Sequence, residues 1–253
     1  MSRIITLLTD FGTADGYVGE MKGKLSSLAP GAMLMDIAHD VPAGDVAAGC
    51  YALGRVWRTF PAGTVHLAVV DPGVGSARRA LAAEAGGQFF VAPDNGLLSD
   101  VFASAAAVTV HLPVPQGASR TFHGRDVFAP VAARLAGGAR LAELGEAIAD
   151  PVRLKPPVLE VEGSDLVGEV IHVDRFGTLI SNLPLERVAR AATVKLGGRG
   201  FQLGATFADV PPGEPVAFIG SGGTVEIAVR DGRADVVLGF SRGTEIRATA
   251  RRS

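Results

Sequence analysis

The sequence predicts an α/β N-terminal domain with a mixed, largely parallel sheet over residues 1–150, and a smaller all-β C-terminal domain over residues 158–253. Three observations predict it. Apolar, β-branched runs alternate with helix-period segments through the first domain, the pattern of layered strands and helices. Asp150-Pro151-Val-Arg-Leu-Lys-Pro156-Pro157 then places three prolines in eight residues. Proline neither continues a helix nor sits inside a sheet ladder, so this stretch reads as a linker. Beyond it the apolar runs are short and glycine-bearing turns separate many of them.

The elements follow in order. Ile4 to Leu8 is a short apolar run, a buried strand, ending at Thr9-Asp10-Phe11-Gly12. Tyr17 to Leu28 reads as a helix, stopped by Ala29-Pro30-Gly31. Met33 to Ile37 is a second strand. Asp45 caps a helix running through Val46, Cys50, Leu53, Val56 and Trp57, and Pro61-Ala-Gly closes it. Val65 to Val70 is a third apolar run, ending at Asp71-Pro-Gly. Leu81 to Ala85 and Gln88 to Ala92 form a hairpin across Gly86-Gly87. Leu97 to Ala103 and Asp126 to Leu135 are further helices. In the second domain the short runs are Leu166 to Val173, Leu179 to Ser181, Thr193 to Leu196, Val216 to Ile219, Thr224 to Val229, Ala234 to Leu238 and Thr244 to Ala248, all read as an all-β set.

Composition removes several function classes. Hydrophobic residues are 47% and charged residues 20%, enough apolar surface for a core and too much for a disordered chain. Lys and Arg number 24 against 26 acids, a net charge of −2 with no block of one sign. That field gives neither nucleic acid nor an anionic membrane a reason to bind. The single cysteine, Cys50, excludes an intrachain disulfide and a cysteine metal cluster. The five histidines show no His-x-x-x-His or His-Glu-x-x-His spacing, so no metal is expected. The N-terminus, starting Met1-Ser-Arg-Ile-Ile-Thr, reaches an acidic residue at Asp10, too short an apolar run for a signal peptide, and no stretch approaches the ~20 apolar residues of a membrane span. The expected location is the cytoplasm.

In an open α/β sheet, ligands bind beyond the carboxyl ends of the strands. Two segments lie there: Thr9 to Tyr17, and Asp71-Pro72-Gly73-Val74-Gly75-Ser76-Ala77-Arg78-Arg79. Asp10 either accepts hydrogen bonds from a sugar diol or serves as a loop aspartate. Asp15 either faces a ligand or caps the Tyr17 helix. Gly73 and Gly75 suggest a phosphate loop, but no Gly-Lys-Ser/Thr follows and position 78 is arginine, so both phosphate-loop motifs are excluded. Asp71 and Arg78 can fold into an ion pair, structural or functional. His66, His111 and His172 fall within strands. His39-Asp40 is either a local metal or acid/base pair or a loop hydrogen bond. His123, in Phe122-His123-Gly124-Arg125-Asp126, precedes a helix from a glycine loop and can face a cleft. In the second domain, Phe176 of Asp174-Arg175-Phe176-Gly177 is either buried beside a turn or an aromatic wall for a flat heterocycle. Ser221-Gly222-Gly223 is either a hairpin turn or a backbone site for a carboxylate.

Together these segments resemble the S-adenosyl-L-methionine (SAM) hydroxide adenosyltransferases, or SAM hydrolases, relatives of the SAM-dependent fluorinase and chlorinase. The matching stretches are Thr9-Asp-Phe-Gly with Asp15-Gly16-Tyr17, Asp36-Ile-Ala-His39, Val69-Val-Asp-Pro-Gly-Val-Gly75 with Arg78, Ala92-Pro-Asp-Asn-Gly96, Phe122-His-Gly-Arg-Asp-Val-Phe-Ala-Pro130, Asp174-Arg-Phe-Gly177, and Ser221-Gly-Gly with Glu226-Ile-Ala228. Each alone is weak; their shared order along nearly the whole chain is specific. The resemblance implies a homotrimer, with SAM bound between the N-terminal domain of one subunit and the C-terminal domain of the next. It places Asp71, Arg78 and His123 on the family's activating set. Asp10 falls on a ribose-binding aspartate, Asp174 and Ser221 on positions that hold the methionine amino acid group, and Phe176 on an adenine-stacking position. Asp15, Tyr17, Gly124, Thr178 and Glu226 complete the implied substrate-binding set.

The implied reaction is in-line attack of water or hydroxide on the ribose C5′, giving adenosine and L-methionine. The sulfonium is already an excellent leaving group, so neither a general acid, a metal nor a cofactor is required. Arg78 would favour hydroxide, with His123 or Asp71 taking or sharing the proton. In the fluorinase, Tyr-Pro-Ala-Thr matches the Asp71 to Val74 stretch and Tyr-Ser replaces His123-Gly124. A carboxylate at Asp71 would repel a halide, which favours water. Two departures bear on the adenine: Thr178 stands where many members carry asparagine, and Arg230-Asp231-Gly232-Arg233-Ala234 stands where they carry Asn-x-Gly-Ser-Ala. The rival readings are a halogenase, a non-catalytic SAM sensor and a metal-dependent phosphohydrolase.

Overall fold

The computed structural model describes residues 4–188 and 191–250. The Met1–Arg3 part of the N-terminal reading lies outside the described residues. The chain forms two compact units, Met1–Leu154 and Lys155–Ser253, and the boundary falls inside the Pro151–Pro157 stretch.

The first unit runs β1 (Ile4–Thr9), α1 (Tyr17–Leu28), β2 (Met33–Ala38), α2 (Val46–Val56), β3 (Val65–Val69), β4 (Ala80–Ala85), β5 (Gln88–Pro93), α3 (Ser99–Ser104), β6 (Ala107–Leu112), α4 (Ala129–Ala136) and β7 (Glu146–Ile148). Its seven strands lie in the order β2-β1-β3-β5-β4-β6-β7. The pairs β2/β1, β1/β3 and β3/β5 are parallel, and the rest antiparallel. β3 is buried throughout, which explains its unbroken apolar run. Asp45 caps α2 by accepting from the Ala48 N–H at 3.0 Å. Gly86 and Gly87 (φ 58° and 75°) turn the β4–β5 hairpin, whose tight turn demands positive φ at both positions. β7 has only three residues, too few for a readable pattern.

The sheet is covered on both faces. Ile5, Leu7, Val65, Leu67 and Phe128 pack with Met21 and Leu25 of α1 and Ala132 of α4. Leu8, Ala68 and Phe90 pack with Leu53 of α2, Trp57, Leu97 and Val101 of α3. One buried polar chain crosses this core. The His66 Nδ1 lies 2.8 Å from the Thr6 hydroxyl, and its Nε2 lies 2.5 Å from the Gln88 carboxamide oxygen. The ring stacks on Phe90 at 4.9 Å.

The second unit runs β8 (Glu160–Glu162), β9 (Asp165–Val173), β10 (Leu179–Pro184), α5 (Leu185–Val188), β11 (Ala191–Leu196), β12 (Arg199–Phe201), β13 (Pro215–Ile219), β14 (Thr224–Val229), α6 (Ala234–Leu238) and β15 (Glu245–Ala250). Its strands follow the order β12-β11-β15-β9-β10-β14-β13, all antiparallel, with β8 added on β9. Just past β12, the Gly204 N–H donates to the Ala217 carbonyl of β13 at 2.8 Å. This joins the two ends of the sheet and curls it nearly into a barrel around Leu183, Val194, Ile227 and Ile246.

Among the described residues, two segments of this β-rich unit are α-helical. Ala234 to Leu238, read as a strand from its apolar run, is α6. The reason lies in its flank: Gly239 takes the left-handed conformation (φ 70°) and returns its N–H to the Asp235 carbonyl at 3.1 Å, a helix-ending cap. α5 is a single turn.

Candidate active site

In the first unit the chain leaves β1 toward β2 on one side, while β3 neighbours β5 on the other. The connections diverge there, and such a point opens a crevice beyond the carboxyl ends of the strands. Asp10 and Asp71 sit just past those two ends.

The Asp71–Arg79 loop is stiffened from within. The Ser76 N–H and hydroxyl both donate to the Gly73 carbonyl, at 3.1 and 2.7 Å, and the Arg78 N–H donates to the Ser76 hydroxyl at 3.2 Å. Gly75 has φ +76°, and a Cβ there would lie 2.5 Å from the Arg120 carbonyl oxygen. Only glycine fits this position, so the loop lies flush against the segment that leads into His123.

Three side chains converge there. The Arg78 guanidinium grips Asp71 bidentately, Nε donating to Oδ1 at 2.9 Å and Nη2 to Oδ2. Nη2 also lies 2.8 Å from His123 Nδ1. The guanidinium carbon sits 5.3 Å from the centre of the buried Phe128 ring. His123 and Phe128 are held by a wide π-helical turn, Gly124–Phe128, that precedes α4 where a plain helix was expected from Asp126. Such turns recur at functional sites because they re-aim side chains.

The geometry fixes a protonation state. A guanidinium only donates, so His123 Nδ1 accepts and its proton rests on Nε2. Burial first, then the adjacent Arg78 charge, pushes the His123 pKa below its usual 6.5, and the ring is neutral at pH 7. Both Asp71 oxygens are occupied by Arg78. The buried Arg78 Nη1 has no hydrogen-bond acceptor among the described residues. A buried donor without a partner costs about 1–3 kcal/mol, so this one is poised for a ligand oxygen.

Asp10 Oδ2 accepts from the Gly44 N–H at 2.8 Å. His39 is the loop brace that one of its readings foresaw: Nδ1 lies 2.8 Å from the Thr9 hydroxyl, and its carbonyl accepts from the Gly12 N–H at 2.8 Å. Asp15 is exposed and does not cap α1, whose N-cap is Gly16 with no side-chain bond. Tyr17 is 49% exposed and meets Phe11 and Phe122 edge-on, at 6.2 and 5.5 Å. Gly124 abuts Met21 and the Phe11 ring, where a Cβ would be crowded.

The second unit carries its own polar cluster. Asp174 Oδ1 accepts from the Phe176 and Thr178 N–H groups at 2.9 and 2.8 Å, tying a tight turn. Phe176 at the tip is 77% exposed, which overturns the buried reading. The Arg233 guanidinium supports the turn through the Arg175 carbonyl at 2.8 Å and pairs with Asp235. Arg230 Nη1 donates to the Val210 carbonyl at 2.9 Å. Ser221 lies in the exposed β13–β14 turn, and Glu226 of β14 lies against Gly220, where no Cβ fits beside it. Among the described residues no group of three or more His, Cys, Asp or Glu is placed to hold a metal, and no helix is long and apolar enough to cross a membrane.

Sequence reasoning left Arg79, Asp94 and Asn95 without a role. Asp94 is buried and accepts from Arg79 Nε at 2.7 Å, while Asn95 Nδ2 donates to the Val70 carbonyl at 2.8 Å. The Pro-Asp-Asn-Gly turn after an apolar strand was the available signal.

Comparisons with known proteins agree on one family. The model of the SAM hydroxide adenosyltransferase N-terminal domain matches residues 5–145, and that of the C-terminal domain matches residues 168–247. The chain is 43% identical to a Salinispora tropica protein named (R)-S-adenosyl-L-methionine hydrolase, over 97% of each chain. It is 31% identical to an Actinoplanes fluorinase, over 89% of this chain and 90% of the relative. The crystal structure of an uncharacterized conserved protein from Thermotoga maritima superposes with a TM-score of 0.88 at 36% identity, covering 98% of this chain and 100% of that one. With both domain models matched in order and the Asp71–Arg78–His123 cluster formed, the chain belongs to the SAM hydroxide adenosyltransferase family.

Proposed function

We propose that this chain hydrolyses S-adenosyl-L-methionine to adenosine and L-methionine, and that hydroxide held by Arg78 and His123 attacks the ribose C5′ opposite the sulfonium. The observation that carries the reading is the donor-rich cluster, with a buried Arg78 Nη1 that has no acceptor among the described residues. Nη1–H and the His123 Nε2–H both point to an oxygen anion as ligand rather than to a proton-accepting role for the imidazole. Asp71 holds the guanidinium in plane and is not free to act as a base. The water's proton therefore leaves to solvent. Hydroxide plus the sulfonium cation gives two products without the sulfonium charge, and the Arg78 cation, itself largely buried beside Asp71, lowers the free energy of that hydroxide. Neither a metal nor a cofactor takes part.

Asp10 keeps Oδ1 for the ribose diol. Asp174, Ser221 and Glu226 hold the amino acid end, Phe176 and Thr178 meet the adenine, and Asp15, Tyr17 and Gly124 shape the mouth of the crevice. The enzyme works as a cytoplasmic homotrimer. The name of its relative makes the (R)-sulfonium epimer the first substrate to test.

A halogenase is the second reading, favoured by the fluorinase similarity. Neutralisation of Asp71 by Arg78 weakens the argument that its charge repels halide. Water remains preferred on the histidine and on the higher identity to the hydrolase. Incubation of the purified protein with each SAM epimer and EDTA, followed by chromatography, tests both. Adenosine and methionine are expected. Halogenated adenosine on addition of chloride or fluoride would favour the second reading, and the absence of turnover would refute hydrolysis.

A further inference from the structure

The catalytic loop is held at both ends by one turn. Val70, the residue before Asp71, is fully buried, and its carbonyl lies past the last residue of β3, so it needs a donor from elsewhere. Asn95 Nδ2 supplies it at 2.8 Å, while Asn95 Oδ1 accepts from the Leu97 N–H at 3.2 Å. At the far end Arg79 follows Arg78. Its Nε donates to Asp94 Oδ2 at 2.7 Å, and its carbonyl accepts from the Asp94 N–H at 2.9 Å. Asp94 and Asn95 are adjacent. Two neighbouring residues thus pin residues 70 and 79, the flanks of the stretch that carries Asp71 and Arg78.

The same turn takes hold of the segment that leaves the first unit. Asp94 Oδ1 accepts from the Val152 N–H at 2.7 Å, and Arg79 Nη1 and Nη2 donate to the Asp150 carboxylate and carbonyl at 2.9 and 2.7 Å. Gly96 (φ +95°) lets Leu154 pass, since a Cβ there would lie 2.9 Å from the Leu154 side chain. The Asp94 side chain is 1% exposed, so its charge is compensated by Arg79 and the Val152 N–H rather than by water.

We propose that Asp94 and Asn95 are positioning residues, which set the register of the Asp71–Arg78 pair against His123 by clamping both ends of its loop. The inference rests on the catalytic reading of Arg78. Its basis is that a guanidinium shared between Asp71 and His123 tolerates little displacement, and small misplacements cost large rate factors.

The test is a double-mutant cycle read by steady-state kinetics with SAM. Asn95→Asp is nearly isosteric and keeps the acceptor for Leu97, but presents an oxygen to the Val70 carbonyl. Asp94→Asn keeps an acceptor for Val152 and loses the ion pair with Arg79. Each is expected to lower kcat ten- to a hundredfold with KM changed less than twofold. In an Arg78→Lys background, where the bidentate grip is already gone, each should cost less than threefold more. Equal losses in both backgrounds, or a loss confined to KM, would overturn the positioning role. Should either variant fail to fold, Arg79→Lys in the same cycle gives the same readout at the other partner of the clamp. Wild-type turnover by Arg78→Lys and Arg78→Ala would remove the catalytic assignment itself, and the positioning role with it, a result separable from the others.

Discussion

Acid should weaken the first unit through one buried ring, His66. Burial holds its pKa at about 4, against the usual 6.5, and the Gln88 hydrogen bond offsets this only in part. The folded state therefore prefers the neutral ring. That preference contributes fully above pH 6.5 and is lost as the pH falls toward 4, because the unfolded chain takes up the proton first. At roughly 1.4 kcal/mol per tenfold change in proton affinity, the gap between 6.5 and about 4 amounts to about 3 kcal/mol. The protein carries a single tryptophan, Trp57, whose ring lies 5.6 Å from Phe90, the residue stacked on His66. Urea unfolding followed by tryptophan fluorescence thus reports on this unit. Between pH 7 and pH 4 the midpoint should fall more in the wild type than in His66→Leu, by the equivalent of about 3 kcal/mol. The variant starts lower, since Thr6 and Gln88 lose a partner, so the comparison is of slopes. Parallel pH dependences in the two proteins would refute the reasoning.

Further outcomes follow from the same geometry. Arg78→Ala should lower kcat about 10²–10³-fold, with SAM affinity by calorimetry kept within a few fold, because the donors act on the transition state. With His123 already neutral at pH 7, a hydroxide mechanism makes kcat rise with pH from 6.5 to 8.5 in a rate profile; a flat profile there would point to His123 as a base. Gly75→Ala forces a left-handed alanine against the Arg120 carbonyl and should cost roughly 1–3 kcal/mol, seen as a drop of several degrees in Tm together with a lower kcat. Phe176→Ala should leave Tm unchanged, since the ring is 77% exposed, and raise KM about tenfold if it stacks on the adenine.

β1 and β3 were legible because burial on both faces leaves unbroken apolar runs, and α2 because its Asp45 cap is local, whereas β7 is too short to read and the π-helical turn before α4 breaks the helix expected from Asp126. α6 was not legible either. Its short apolar run fits a strand equally well, and only the left-handed Gly239 decides between them. The Asp71–Arg78 pairing was legible from a seven-residue spacing across glycines. The sequence marks His123 as a polar residue of a glycine loop, but not that its Nδ1 accepts from Arg78, which depends on the π-helical turn and on a contact across 45 residues. The same limit hid the clamp. Asn95 meets Val70 and Asp94 meets Val152 at separations of 25 and 58 residues, and no local pattern announces such a pairing.

The placement of β15 has a consequence for synthesis. This strand, Glu245–Ala250, lies in the interior of its sheet, between β11 and β9. Its partner β9 begins at Asp165, so the ladder spans more than eighty residues of chain. All strands of the first unit have emerged once Ile148 leaves the ribosome, and that unit can fold early. The second must hold an incomplete sheet, with the edges of β9 and β11 unpaired, until its last described strand arrives to separate them. Removing those few residues would therefore split a sheet at its centre rather than trim its rim.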